Sequence, residues 1–167
     1  MATVEQRAAS DATEITITRM SEHDLLEVVE IEEKSGLSRW GWAAYYAELQ
    51  SANRDLMLIA RLTHASIIDS GPIAGYIVAR ETAGELHINN VAVREEFRRR
   101  GIGGALLERI LLEARRRKAN AVFLEVRSGN HSAQALYVKN GFRAIATRAD
   151  YYSDPREDAV VMTLDLG

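Results

Sequence analysis

The alternation of apolar and polar residues predicts a chain of seven strands and four helices. A period of two indicates a strand, and apolar residues at i, i+3, i+4 and i+7 indicate a helix that covers a core. The predicted strands span 14–19, 55–62, 74–81, 85–93, 121–126, 142–151 and 159–165, and the predicted helices span 22–34, 42–51, 103–118 and 132–140. Residues 1–12 are polar and aperiodic and are expected to form a flexible tail, with one domain over 13–167.

The order of these elements predicts how the strands pair. Strands 55–62 and 74–81 are separated by a loop rich in turn residues, which favours antiparallel pairing. A strand, a helix and a strand follow one another between 91 and 126, which implies a parallel crossover. We therefore expect a mixed, mostly antiparallel sheet in an α/β fold.

Strand 85–93 changes phase in its middle. Apolar side chains alternate as far as Ile88 and again from Val91, but the two series point to opposite faces. One extra residue near Asn89 or Asn90, a β-bulge, would bring both series into register with a single neighbouring strand.

Charge is distributed unevenly along the chain. Residues 94–118 carry nine Arg or Lys against four Glu, a local charge of +5, so the rest carries −8 of the total of −3. A basic patch on an acidic body favours a focused site for a phosphorylated ligand. The basic residues that cluster beside the glycines at 98–104 lack interleaved aromatic residues, so no direct nucleic-acid partner is expected. For 115–118, the alternative is a solvated helix end whose cations complement the helix dipole.

Composition narrows the class of protein. A chain of 167 residues with 47% apolar content predicts one globular domain. The absence of cysteine excludes disulfides, thiolate metal sites and a cysteine nucleophile. The longest apolar run, 42–47, is too short for a membrane span, and no signal peptide is visible, so a cytoplasmic location without a membrane partner is expected. His23, His64, His87 and His131 lack metal-ligand spacing, so we interpret them as surface or core residues and expect no metal.

A glycine-rich segment lies between a predicted strand and the most strongly patterned helix. Its glycines let successive backbone N–H groups face one anion at the positive end of that helix. The predicted pyrophosphate site consists of Arg98, Arg99, Arg100, Gly101, Ile102, Gly103 and Gly104. A helix-opening turn without a ligand is the alternative, and the segment is neither a Walker A loop nor a dinucleotide fingerprint.

The motif Arg98-x-x-Gly101-x-Gly103 resembles the acyl-CoA pyrophosphate motif of the Gcn5-related N-acetyltransferases, the GNAT superfamily. The C-terminal half further resembles the bacterial ribosomal-protein-alanine N-acetyltransferases, the RimI family. The motifs that carry this resemblance are NVAV at 90–93, LEVRS at 124–128, Asn130, ALY at 135–137, GF at 141–142, YY at 151–152, and REDA at 156–159 with Met162. The resemblance implies a GNAT fold of about seven strands and four helices, with acetyl-CoA as co-substrate.

Two residues match the catalytic positions of the family. Glu125 lies in the apolar run 122–126, where an acid is costly to bury without a purpose or a partner, and the resemblance implies a general base. Its alternative is an ion pair with a neighbouring arginine. Tyr137 follows Asn130 by two helical turns, so both can face one cleft, and the resemblance implies a general acid for the CoA thiolate. Its alternative is packing.

Further residues are expected around the thioester and the acceptor. Backbone groups freed by the bulge at Val91, Ala92 and Val93 are expected to hold the thioester oxygen, and Asn130 and Tyr137 to contact the cofactor. Residues expected to line the acceptor channel are Trp40, Tyr151 and Tyr152, for which packing is again the alternative.

Amine protonation favours an N-terminal acceptor. An α-amine with a pKa of roughly 7.7 to 8.0 is about a tenth neutral at pH 7, whereas a lysine near 10.4 is several hundredfold less so. We therefore expect an N-alpha-acetyltransferase in which the amine attacks the thioester directly. The resemblance implies the N-terminal alanine of a ribosomal protein as the acceptor. The alternatives are a GNAT enzyme for a small-molecule amine or a lysine, and a non-catalytic CoA-binding module. The oligomeric state stays open, with a monomer as the expectation.

Overall fold

The computed structural model describes residues 14–63 and 71–167. Its strands are β1 (Glu14–Arg19), β2 (Met57–Thr63), β3 (Ile73–Thr82), β4 (Glu85–Val93), β5 (Ala121–Arg127), β6 (Arg143–Ser153) and β7 (Arg156–Asp165). Its α-helices are α1 (Leu25–Lys34), α2 (Gly41–Leu49), α3 (Ile102–Arg116) and α4 (His131–Lys139). The predicted tail at 1–12 lies outside the described residues and stays a prediction.

The seven strands form one sheet in the order β1-β2-β3-β4-β5-β7-β6. Neighbouring strands are antiparallel except β4 and β5, which are parallel and joined through α3. The expected architecture, a mixed and mostly antiparallel sheet with four helices, is confirmed. No helix within residues 14–63 and 71–167 is long and apolar enough to cross a membrane.

Two apolar layers cover the two faces of the sheet. Successive residues of β2 show this, because Leu58 packs in the layer that contains α3, whereas Met57 and Ile59 pack in the layer that contains α1. A strand that is buried on both faces contains a continuous apolar run, as β2 does over 57–60. The helices therefore bury β2 and most of β3 on both faces, whereas one face of β5 stays partly exposed.

Several element ends differ from the sequence prediction. The first helix begins with a separate 3₁₀ turn at 22–24, and a 3₁₀ turn at 54–56 delays the start of β2. The second helix ends at Leu49, and α3 ends before Lys118, whose φ of 57° lies in the left-handed region. The last strand starts at Arg156, because its charged first residues pair with β6 as far as the connecting turn.

The predicted bulge in β4 is confirmed. The register between β3 and β4 passes from Val78 opposite Asn90 to Ala79 opposite Ile88, so Asn89 is the extra residue. The insertion reverses which face the following side chains occupy, as the change of phase in the sequence requires.

The parallel ladder between β4 and β5 is short. It joins Glu85–Ile88 to Ala121–Leu124. Beyond these pairs β4 continues along β3, and β5 continues along β7. The two strands diverge because each stays with its other neighbour, and a cleft opens between their C-terminal halves.

Candidate active site

A cavity of about 720 Å³ occupies the cleft between β4 and β5. The start of α3, the helix α4, the loop between α1 and α2, and strand β6 complete its walls. Its volume is typical of a small-molecule site. Every site residue predicted from the sequence lines the cavity except Arg100, whose guanidinium carbon lies 5.6 Å from the ring centroid of Phe97.

One end of the cavity is formed by the first turn of α3. Gly101 precedes the helix with a φ of 79°, which glycine adopts without the strain that a side chain would add. Gly103 and Gly104 follow on the cavity wall. The first N–H groups of a helix lack intrahelical partners and lie at its positive end, so this turn suits an anion.

Two arginines border the same end. Arg98 and Arg99 line the cavity, and Arg98 Nε donates to the carbonyl oxygen of Val93 at 3.1 Å. This bond fastens the glycine-rich segment to the end of β4. The side chains add positive charge beside the helix terminus. In the described part of the chain, no group of three or more His, Asp or Glu side chains is arranged to hold a metal ion.

Glu125 presents its carboxylate at the middle of the cavity. Its side chain is only 7% exposed. Oε2 lies 2.5 Å from His87 Nε2, and Oε1 lies 3.8 Å from the guanidinium of Arg148, which is beyond hydrogen-bond distance. Burial raises the pKa of Glu125, but the hydrogen bond and charge of His87 and the charge of Arg148 outweigh it and hold the pKa below its ordinary value. The lowered pKa keeps the carboxylate ionised at neutral pH, and among the described residues no side chain lies within hydrogen-bond distance of Oε1.

His87 is a site residue that the sequence interpretation missed. Its ring stacks on Phe123 of β5, with centroids 4.4 Å apart, and Asn89 Nδ2 lies 3.2 Å from Nδ1. Because an ionised carboxylate only accepts hydrogen bonds, Nε2 donates to Glu125. The sequence signal that could have found it is the spacing of His87 and Asn89, two polar residues two positions apart on one strand. A parallel neighbouring strand places such residues beside the polar residues on the same face of β5.

Tyr137 closes the cavity from α4. It is 4% exposed, and burial raises its pKa, with a smaller contribution from the neighbouring Tyr152. The hydroxyl therefore keeps its proton at neutral pH. Asn130 also lines the cavity, as the two-turn spacing predicts, and its Oδ1 accepts from the N–H of Ala133 at 3.1 Å, which caps α4.

The other end of the cavity is aromatic. Between Arg148 and Tyr152 the register of β6 against β7 shifts, so β6 carries extra residues there. A regular strand points consecutive side chains to opposite faces, but this bulge lets Tyr151 and Tyr152 both line the cavity. Their rings meet edge to face with centroids 5.0 Å apart.

A buried carboxylate fixes the third aromatic residue, Trp40. Glu32 is 1% exposed, and its Oε1 accepts the N–H groups of Trp40 and Gly41, each at 3.1 Å. Its Oε2 accepts the hydroxyl of Tyr45 and, at 3.3 Å, Asn90 Nδ2. Glu32 thus caps the start of α2 and connects it to the bulge of β4. No sequence signal assigned it this role, because its partners lie beyond the end of α1, from Trp40 to Asn90, and helical spacing does not show which of them it meets.

Comparison with known proteins identifies the family. Residues 25–142 match the model of the acetyltransferase (GNAT) family. The chain is 32% identical to the putative ribosomal protein bS18-alanine N-acetyltransferase of Bacillus subtilis, over 92% of this chain and 97% of that protein. The crystal structure of the ribosomal-protein-S18-alanine N-acetyltransferase from Escherichia coli is 30% identical with a TM-score of 0.75, covering 92% of this chain and 95% of that one. Ard1 from Thermoplasma volcanium is 28% identical with a TM-score of 0.81, covering 92% and 98%. The chain belongs to the GNAT family of acetyltransferases and is an acyltransferase of the ribosomal-protein-alanine N-acetyltransferase type.

Proposed function

We propose that this chain is an acetyl-CoA-dependent N-alpha-acetyltransferase that acts on the N-terminal alanine of a ribosomal protein. The observation that carries the proposal is the buried carboxylate of Glu125, which lines one cavity together with the first turn of α3 and with Tyr151 and Tyr152. The names of the similar bacterial enzymes support the choice of acceptor.

The residues of the cavity fit acetyl-CoA. The first turn of α3, with Arg98 and Arg99 beside it, suits the pyrophosphate. The edge of β4 at Val91–Val93, which has left β5, offers backbone groups to the thioester oxygen. Acetyl-CoA supplies an acetyl group that is activated as a thioester.

Glu125 acts as the general base for the acceptor amine. His87 holds Oε2, which leaves Oε1 to accept the proton directly or through one water. The lowered pKa keeps the carboxylate ionised at neutral pH, so the base is available whenever an acceptor enters. At pH 7 about a tenth of the N-terminal amine is already neutral, so deprotonation of the acceptor costs little free energy.

Tyr137 acts as the general acid. Its raised pKa keeps a proton on the hydroxyl oxygen, where it is held for the leaving group. Its burial on α4, behind the opening between the strands, keeps bulk water from competing for that proton.

A pair of peptides tests the proposal. A peptide with a free N-terminal alanine is expected to be acetylated at its α-amine, whereas the same peptide with that amine blocked and an internal lysine added is expected to be nearly inert. Tandem mass spectrometry locates the acetyl group. Acetyl found mainly on lysine would replace the proposal with a lysine or small-amine acetyltransferase. CoA binding without turnover of any amine would indicate a binding module.

A further inference from the structure

Arg127, the last residue of β5, donates hydrogen bonds to two loops, neither of which is connected directly to β5. Its Nε donates to the carbonyl oxygen of Gly36, in the loop between α1 and α2, at 3.0 Å. Its two terminal nitrogens donate to the carbonyl oxygens of Pro155 at 2.9 Å and Asp154 at 3.1 Å, in the turn between β6 and β7. One guanidinium therefore joins two separate loops.

The guanidinium is held firmly in this place. It also donates to Glu157 Oε1 at 3.3 Å, and its plane lies over the ring of Tyr152, 4.2 Å from the centroid. Glu157 is itself oriented by the backbone N–H of Gly129 at 2.6 Å. The charge of Arg127 is paired with Glu157, and only 17% of its side chain is exposed. The guanidinium is therefore held in one position by its partners.

The α1–α2 loop and the end of β6 that leads into the β6–β7 turn border the aromatic end of the cavity. Gly36 and its neighbours to residue 38 line one side, and Tyr151 and Tyr152 line the other. Arg127 follows Glu125 by two residues and so lies on the same face of β5, beside the proposed base. Under the proposed function this is where the acceptor peptide enters.

We propose that Arg127 is a positioning residue that sets acceptor affinity by fastening the α1–α2 loop to the β6–β7 turn. This inference rests on the proposed function for the identity of the acceptor. If the α1–α2 loop and the β6–β7 turn are already joined, they lose little conformational freedom when a peptide binds. If they are not joined, the peptide must order them, and this cost weakens binding. The anion-binding end is formed by α3 and does not depend on this connection.

Arg127→Met tests the connection, because it keeps an unbranched apolar side chain at this position and removes every side-chain donor, together with the guanidinium over Tyr152. The expected result is a rise of about tenfold in KM for an N-terminal alanine peptide, equivalent to about 1.4 kcal/mol. Within about twofold, kcat and the calorimetric Kd for CoA stay unchanged. The matched control is Arg143→Met, which removes an exposed arginine paired with Asp165 on the same hairpin and is expected to change neither constant.

Hydrogen exchange gives a readout that needs no acceptor. Backbone amides at 35–40 and at 153, 154, 156 and 157 are expected to exchange faster in Arg127→Met than in the parent chain or in Arg143→Met. Unchanged exchange, or an equal rise in peptide KM and CoA Kd, would overturn the positioning role. A lower melting temperature with an unchanged peptide KM would also overturn it. If the parent chain acetylates no peptide, the proposed function fails, and the exchange result still decides whether Arg127 fastens the two loops.

Discussion

Replacement of Glu125 by glutamine isolates the proton-accepting oxygen. The amide has the volume of the carboxylate, and its oxygen can take the hydrogen bond that His87 donates to Oε2. The NH₂ group then occupies the position of Oε1, where it cannot accept a proton, and faces Arg148 across the 3.8 Å gap. The fold and the cavity stay intact, while the base is lost.

The loss of a general base lowers turnover by about 10²- to 10⁴-fold, which corresponds to roughly 2.7 to 5.5 kcal/mol of barrier. The assay measures kcat with saturating acetyl-CoA and an N-terminal alanine peptide, under conditions where chemistry limits the rate. The Kd for CoA is measured in parallel and is expected to stay within about twofold, since the anion-binding end is untouched. Glu108→Gln, an exposed carboxylate on α3, is the control variant.

Replacement of His87 gives a second test of the proposed base. Because it acts through Glu125, His87→Ala is expected to cost about tenfold in kcat, and the double variant with Glu125→Gln should be no slower than Glu125→Gln alone. Loss of the His87 hydrogen bond also raises the pKa of Glu125, so the acid limb of the pH–rate profile moves to higher pH. Full turnover in Glu125→Gln, or losses that multiply in the double variant, would refute this account.

Three further changes test other parts of the structure. Gly103→Asp adds a negative charge beside the positive end of α3, and calorimetry is expected to show CoA affinity collapsing. Gly103→Ala, whose methyl group has ordinary contacts of 3.6 to 3.7 Å, should bind far better, and equal binding by both variants would contradict the anion site. Glu32→Gln replaces one carboxylate oxygen by an NH₂ group and so removes an acceptor that two donors share, and denaturant titration should show a loss of about 1 to 3 kcal/mol; a change below about 0.5 would contradict the cap. Chiefly through its hydrogen bond with Arg116, the pKa of Glu113 is lowered from 4.5 to about 2. A lowered carboxyl pKa stabilises the fold above the unfolded value, and the contribution is lost as pH falls from 4.5 through 2. Glu113→Gln should flatten unfolding free energy across that window by no more than about 1 kcal/mol, since Arg116 is 70% exposed.

Local signals predicted the parts of the fold that depend on neighbours in sequence. Leu107, Ile110, Leu111 and Ala114 repeat at helical spacing and are all buried in α3. The change of phase in β4 predicted a bulge near Asn89 or Asn90, and Asn89 is the extra residue. In each case the residues that determine the structure lie within a few positions of one another, so a local sequence pattern is enough to predict it.

Contacts between distant residues escaped the sequence interpretation. His87 and Glu125 are 38 positions apart, and Glu32 and Asn90 are 58 apart. Which side chains meet depends on the register of β4 against β5 and on the packing of α1 over the sheet, and neither follows from periodicity. Arg100 illustrates the reverse case, because the motif grouped it with Arg98 and Arg99, yet its side chain packs over Phe97.

The divergence of β4 from β5 explains why a single acid in an apolar strand was an informative signal. Had the ladder continued beyond Leu124, Glu125 would lie against a paired strand, and an ionised carboxylate there would need a full set of donors. Because the ladder stops at Ile88, the carboxylate faces a cavity, with His87 on one oxygen and the other left open. The same opening exposes the edge of β4 and admits the start of α3. The proposed base, the proposed thioester site and the proposed anion site therefore depend on one break in strand pairing, and a change that restored pairing beyond Ile88 is expected to remove all three together.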